Sequence, residues 1–163
     1  MPKEAKGKRG RPTESRNKPT RPRDRLGRPM GWEAEGELVL EDYDALPIEE
    51  NHRLAVEHFN AGRYFPAHEA WETAWKQARD TDDAEFFKGL SQLGAGYVHL
   101  FRGNRHGAIR LLERGSGRVG RYPVSHHGID TAALTAKARE DVAALERGEL
   151  VPGEAAPLDP PRA

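Results

Sequence analysis

DDAEFFKGLSQLGAGYVHLFRGN, residues 82–104, decides how this chain folds. Phe86, Phe87, Leu90, Leu93, Tyr97, Leu100 and Phe101 recur at the three- and four-residue spacing that gathers them on one arc of an α-helix. Asp82 or Asp83 stands where such a helix needs an N-cap, and it runs out at Arg102 and Gly103. Beside the apolar arc, Gly89, Gln92, Gly96, His99 and Gly103 form a narrow stripe. Each glycine there costs roughly 1 kcal/mol relative to alanine, so close approach of a neighbouring backbone is expected to offset the loss.

Upstream, YFPAHEAWETAW begins a second helix at Tyr64 that runs to about Arg79, with Ala67, Ala70, Trp71, Ala74 and Ala78 on one face. A helix before it opens at Pro47, carries Glu49 and Glu50 in its first turn, where the helix dipole favours acids, and closes at Gly62. Downstream, Asn104 caps a helix ending at Gly115, a connector rich in Gly, Ser, Pro and His spans 115–129, and Asp130 caps a last helix to Gly148. That last helix turns Leu134, Ala138, Val142 and Leu145 inward. No alternating, strand-like stretch competes, so the expected fold is all-α: a compact bundle of about five helices within residues 37–148. Residues 37–46 read as an extended entry that packs Leu38, Leu40 and Tyr43 on the bundle.

The ends differ from the middle. Residues 1–36 are rich in Pro, Arg, Lys and Gly with almost no aliphatic residues, which leaves little to offset the entropy of ordering them. They read as a disordered or loosely docked basic arm, and residues 149–163, with four prolines, as a tail. The 163 residues carry no net charge, yet residues 1–28 hold 11 Lys and Arg against three acids, and the remainder 15 against 23. With no cysteine, the chain has no disulfide, thiolate metal site, iron–sulfur cluster or cysteine nucleophile. No apolar run reaches a membrane span's length and the basic N-terminus lacks an apolar secretory core, so a soluble, cytoplasmic protein is expected.

Helices 64–79 and 82–102 are joined by a short turn and should pack antiparallel. His68 and Glu72, four residues apart beside Trp75, would then face Gln92 or His99 across the contact, with Glu69 further round near Phe65. Such a seam is either a hydrogen-bond network that fixes helix pairing, leaving a purely structural or interaction domain, or a small pocket for a polar ligand or metal. The candidate ligand-binding residues are His68, Glu69, Glu72, Gln92, His99 and Arg102. A divalent metal would take His68, Glu72 and His99. HExxE is not the HExxH zinc-protease signature, because Glu72 replaces the second imidazole. Histidines 52, 58, 106, 126 and 127 show no ligand spacing and read as surface or boundary residues.

FNAGRYFPAHEAWETAWKQA (59–78) and GLSQLGAGYVHLFRGNRHGAIRLL (89–112) together resemble the signature of the domain of unknown function 309 family, a small all-helical bundle. The likeness runs from about residue 46 to 135 and places Gly62, Phe65, His68, Glu69, Glu72, Trp75, Gly89, Gln92, His99, Arg102, Gly103, Asn104 and Gly107 on motif positions. It implies a fold and no activity, substrate or cofactor. Pro66 departs from the pattern, which more often has an acid there; in a first helical turn the change is harmless.

At the corner between helices, Arg102, Gly103 and Asn104 offer either ordinary capping or, with the next helix N-terminus, a phosphate or carboxylate site. A separate function is readable in the arm. Lys8, Arg9 and Arg11, in KRGRP, resemble a minor-groove AT-hook core, and the arm's excess of positive charge attracts any polyanion. Its alternative partner is the acidic bundle itself.

Overall fold

In the computed structural model, which describes residues 21–163, the chain folds into five helices: α1 Ile48–Asn60, α2 Tyr64–Gln77, α3 Ala84–Phe101, α4 Arg105–Val119 and α5 Thr131–Glu146. Each packs on the next in sequence, so α3 lies between α2 and α4. Phe59, Trp71, Phe86, Leu90, Leu93, Tyr97, Leu100, Leu112, Leu134 and Leu145 are fully buried, each stabilising the fold by about 1.5–3 kcal/mol. Phe59 packs between Trp71 and Tyr97, with ring centroids 5.4 and 5.8 Å away. The inward faces expected for α2 and α5 are the ones buried.

Three expectations are corrected. First, α4 continues past Gly115 to Val119. Gly115 does not end it because the glycine lies against α3: a Cβ there would stand 2.8 Å from the Gly89 carbonyl oxygen. Second, the 115–129 connector contains a minimal hairpin, β1 (Ser125–His126) against β2 (Ile129–Asp130). His127 and Gly128 both have positive φ, 47° and 74°, as a two-residue hairpin turn of primed type requires. Third, Leu40 is exposed, while Tyr43 is buried and Leu38 partly so.

Two of the three stripe glycines, Gly89 and Gly96, approach a neighbouring helix closely, and that helix is α4; Gly103 has no neighbour and instead turns the chain with a φ of 80°. A Cβ on Gly89 would lie 2.9 Å from Arg118 and Val119, and one on Gly96 2.8 Å from Leu112. The contact with α2 is made by Gly94, on another face of α3, where a Cβ would lie 3.1 Å from the His68 backbone nitrogen. Small residues on two faces bring both neighbours close to α3.

Of the two states expected for the arm, residues 21–36 take the docked one. Asp24 accepts the backbone N–H groups of Leu26 and Arg28, closing a turn that buries Leu26. Arg102 then donates Nε and Nη2 to the Leu26 carbonyl at 3.0 and 2.6 Å. The tail is docked as well: Gly153 N–H donates to the Leu100 carbonyl, and Ala163 N–H to Asn60 Oδ1. Among the described residues no helix is long and apolar enough to cross a membrane.

Candidate functional site

Helix α2 begins at Tyr64, so His68, Glu69 and Glu72 lie in its second and third turns, where the four-residue spacing stacks His68 under Glu72. All three are partly buried. The Gly94 contact lowers α2 onto α3, and this brings the His68 ring to Ser91. His68 Nδ1 is 2.9 Å from both the carbonyl oxygen and the Oγ of Ser91. The Ser91 hydroxyl donates its own proton to the His68 carbonyl at 3.2 Å. Both oxygens facing Nδ1 are therefore acceptors, and Nδ1 carries the ring proton. Nε2 is left with a lone pair directed at two carboxylates, 3.5 Å from Glu72 Oε2 and 3.9 Å from Glu69 Oε1. With the ring neutral, three acceptors converge on one space. The other oxygen of Glu72 is 3.4 Å from Lys76 Nζ.

The remaining expected members do not join this group. Gln92 turns to α4, where its Oε1 accepts from Arg118 Nη1 at 3.1 Å. Arg102 is spent on the Leu26 carbonyl rather than offered to an anion. The Asn104 side-chain oxygen accepts from Gly107 N–H, the expected cap, so its amide nitrogen donates to His99 Nδ1 at 3.0 Å. His99 therefore faces the α3–α4 corner. Burial lowers its pKa, with help from the Arg102 guanidinium. Two clusters among the described residues have ligand atoms close enough to share a metal: His68, Glu69 and Glu72, with Glu69 in place of the expected His99, and Asp83, His126 and His127. Lys8, Arg9 and Arg11 lie outside the described residues.

A second histidine cluster went unnoticed in the sequence. Asp83 is the N-cap residue of α3 yet makes no capping bond. Its carboxylate instead takes His126 Nε2 on one oxygen and His127 Nε2 on the other, both at 2.7 Å. Burial alone would raise the Asp83 pKa, but the bonds from His127 and His126 outweigh it and hold the group below its usual value. Beside this cluster, Trp71 Nε1 donates to His52 Nδ1 at 3.0 Å, which places the His52 proton on Nε2, where it meets the His127 carbonyl at 2.8 Å. Burial lowers the His52 pKa further than the His127 carbonyl can restore it. An aspartate ahead of a helix and a His-His-Gly turn were the only sequence signals for this cluster, and each has an ordinary local role.

Residues 52–111 match the sequence model of the family Domain of unknown function (DUF309). The segment is thus similar to a DUF309 domain over somewhat more than a third of the chain. It contains all of α2, α3 and the His68 cluster, whereas His126 and His127 lie beyond the matched span. No curated protein and no solved structure matches the chain.

Proposed function

We propose that the helical domain binds a divalent transition-metal ion of the zinc class through His68 Nε2, Glu69 and Glu72. One observation carries this reading: the Nε2 lone pair of the neutral ring and two carboxylates point at the same space, an arrangement that a bound cation makes favourable. Zinc–nitrogen and zinc–oxygen bonds of about 2.0–2.2 Å put neighbouring ligand atoms in a tetrahedral shell about 3.3–3.6 Å apart. The 3.5 Å between Nε2 and Glu72 falls in that range, and the 3.9 Å to Glu69 needs only a small rotation of a partly buried carboxylate. Ser91 supports the assignment as the outer partner that fixes the ring tautomer and orientation, a role metal-bound imidazoles ordinarily require. Three protein ligands leave a coordination position for water or a substrate group.

The test is metal analysis of the full chain purified without chelator, with isothermal titration of the stripped protein by zinc. Retention of stoichiometric zinc, lost in His68→Ala and in Glu72→Gln, supports the reading. If zinc is neither retained nor able to move the His68 ring resonances in an NMR titration, an imidazolium fills the gap and the cluster only joins two helices.

The arm as a polyanion binder is less well supported by residues 21–36. Arg21, Arg23 and Arg28 there donate to the Met30 carbonyl, the Gly27 carbonyl and the Asp24 carboxylate, which withdraws them from any phosphate.

A further inference from the structure

A cleft of about 430 Å³ opens beside the second histidine cluster, lined by Ile48, Glu49, His52, Gln77, Ala78, Thr81, Asp83, Phe87 and His127. Its volume is in the range of small-molecule sites. Ile48, Ala78 and Phe87 make one part of the wall apolar. The polar part can be audited donor by donor. His52 has spent its one proton on the His127 carbonyl. The Thr81 hydroxyl donates to the Ala78 carbonyl at 2.6 Å. Gln77 gives one amide proton to the Leu46 carbonyl and its oxygen to Asn51. His127 donates Nε2–H to Asp83, so in the neutral ring Nδ1 keeps a lone pair. The Glu49 carboxylate is exposed at the rim, and no Lys or Arg among the described residues lines the cleft. The unspent groups are thus almost all acceptors, and two of the lining residues are acids.

Two further features show that the wall is held in place at a local cost. Asp83 forgoes its capping bond, which ordinarily stabilises a helix by about 1 kcal/mol, to hold the two imidazoles. His127 adopts a positive φ that non-glycine residues rarely take, and its ring packs 5.5 Å from that of Phe87.

We infer that this cleft is a binding site for a small organic ammonium ion, an apolar body carrying a protonated amine. The body lies on Ile48 and Phe87, and the amine donates to the His127 Nδ1 and the Glu49 carboxylate. A carboxylate or phosphate ligand would meet like charge and, among the described residues, no Lys or Arg. The site is separate from the His68 cluster, and its test is independent of zinc.

The experiment uses two probes of one shape and opposite charge, phenethylammonium and phenylacetate, titrated into the full chain while the ring resonances of His52, Phe87 and His127 are followed by NMR. Saturable shifts with the amine and none with phenylacetate are expected. Glu49→Gln should weaken the amine about two- to fivefold, as loss of an exposed charge partner does. Thr81→Trp, a change at an exposed position, should fill the cleft and abolish the shifts while the thermal midpoint is retained. No shift at millimolar amine, or equal shifts with phenylacetate, overturns the inference.

Discussion

The molecule holds two groups of histidine and carboxylate that look alike in composition and differ in their protons. Around Asp83 every short contact has a donor: two imidazole N–H groups meet two carboxylate oxygens at 2.7 Å, and the group is complete. Around His68 the ring proton is turned away to Ser91, and the face toward Glu69 and Glu72 has acceptors only. The first arrangement spends its polarity on holding a hairpin to a helix start. With the ring neutral, the second sets acceptor against acceptor, and either a metal ion or a second ring proton relieves it. Residue type alone would have ranked the two alike; the position of one hydrogen on each ring separates them.

The largest expected effect that would break this contrast is on zinc affinity. His68→Ala should reduce it by more than the roughly 10–100-fold that losing an outer-shell partner costs, whereas His127→Ala should leave it unchanged. Equal losses in the two variants, measured by competition with a chromophoric chelator, would mean that the clusters had been assigned the wrong way round. Stability should divide in the opposite sense. Asp83→Asn removes a charged acceptor shared by two donors and should lower unfolding free energy in urea by about 1–3 kcal/mol, while Glu72→Gln, relieving repulsion among acceptors, should cost little or raise it.

Gly94→Ala sharpens the contrast from the packing side. The new methyl would lie 3.1–3.2 Å from the His68 backbone, which belongs to a helix and cannot yield alone. Overpacking of this sort costs about 1–3 kcal/mol, partly returned by alanine's better helix propensity, so the net loss should be about 1 kcal/mol. Zinc affinity should fall as well, because α2 moves with its ligands; an alanine variant that binds zinc normally would show that the contact does not set the ring position.

The smallest effect is on pH dependence. The unfolded chain protonates His52 near its ordinary value of 6.5, whereas in the folded protein burial depresses it. Between those values the unfolded state holds more protons, so the stability His52 contributes is full above about 6.5 and declines as pH falls through the depressed value. His52→Gln should flatten that decline between neutral pH and pH 5, with His58 and His99, also depressed by burial, supplying what remains.

The helices were legible because capping and apolar spacing agreed at nearly every element: Asn104 and Asp130 cap as their position promises, and the buried faces of α2, α3 and α5 are those the spacing selects. Gly115 misled because a glycine that ends a helix and one that admits a neighbouring helix are the same letter. His68, Glu69 and Glu72 could be read together because four-residue spacing on one helix is a local property. Their counterparts could not. Periodicity tells which residues of α3 share a face and is silent about which neighbour that face meets, so Gln92 went to Arg118 and Ser91 took the place beside His68. Asp83 and His126 lie 43 residues apart, and no pattern along the chain links them.

The two-sided thinning of α3 has a mechanical consequence. A rod hollowed at Gly94 for one neighbour and at Gly89 and Gly96 for another is clasped from both flanks, and rolling it to ease either grip would drive it into the other. Whatever a ligand does to the imidazole resting on Ser91, the helix beneath has almost no freedom to absorb, and the push is passed on toward Leu112 and Val119.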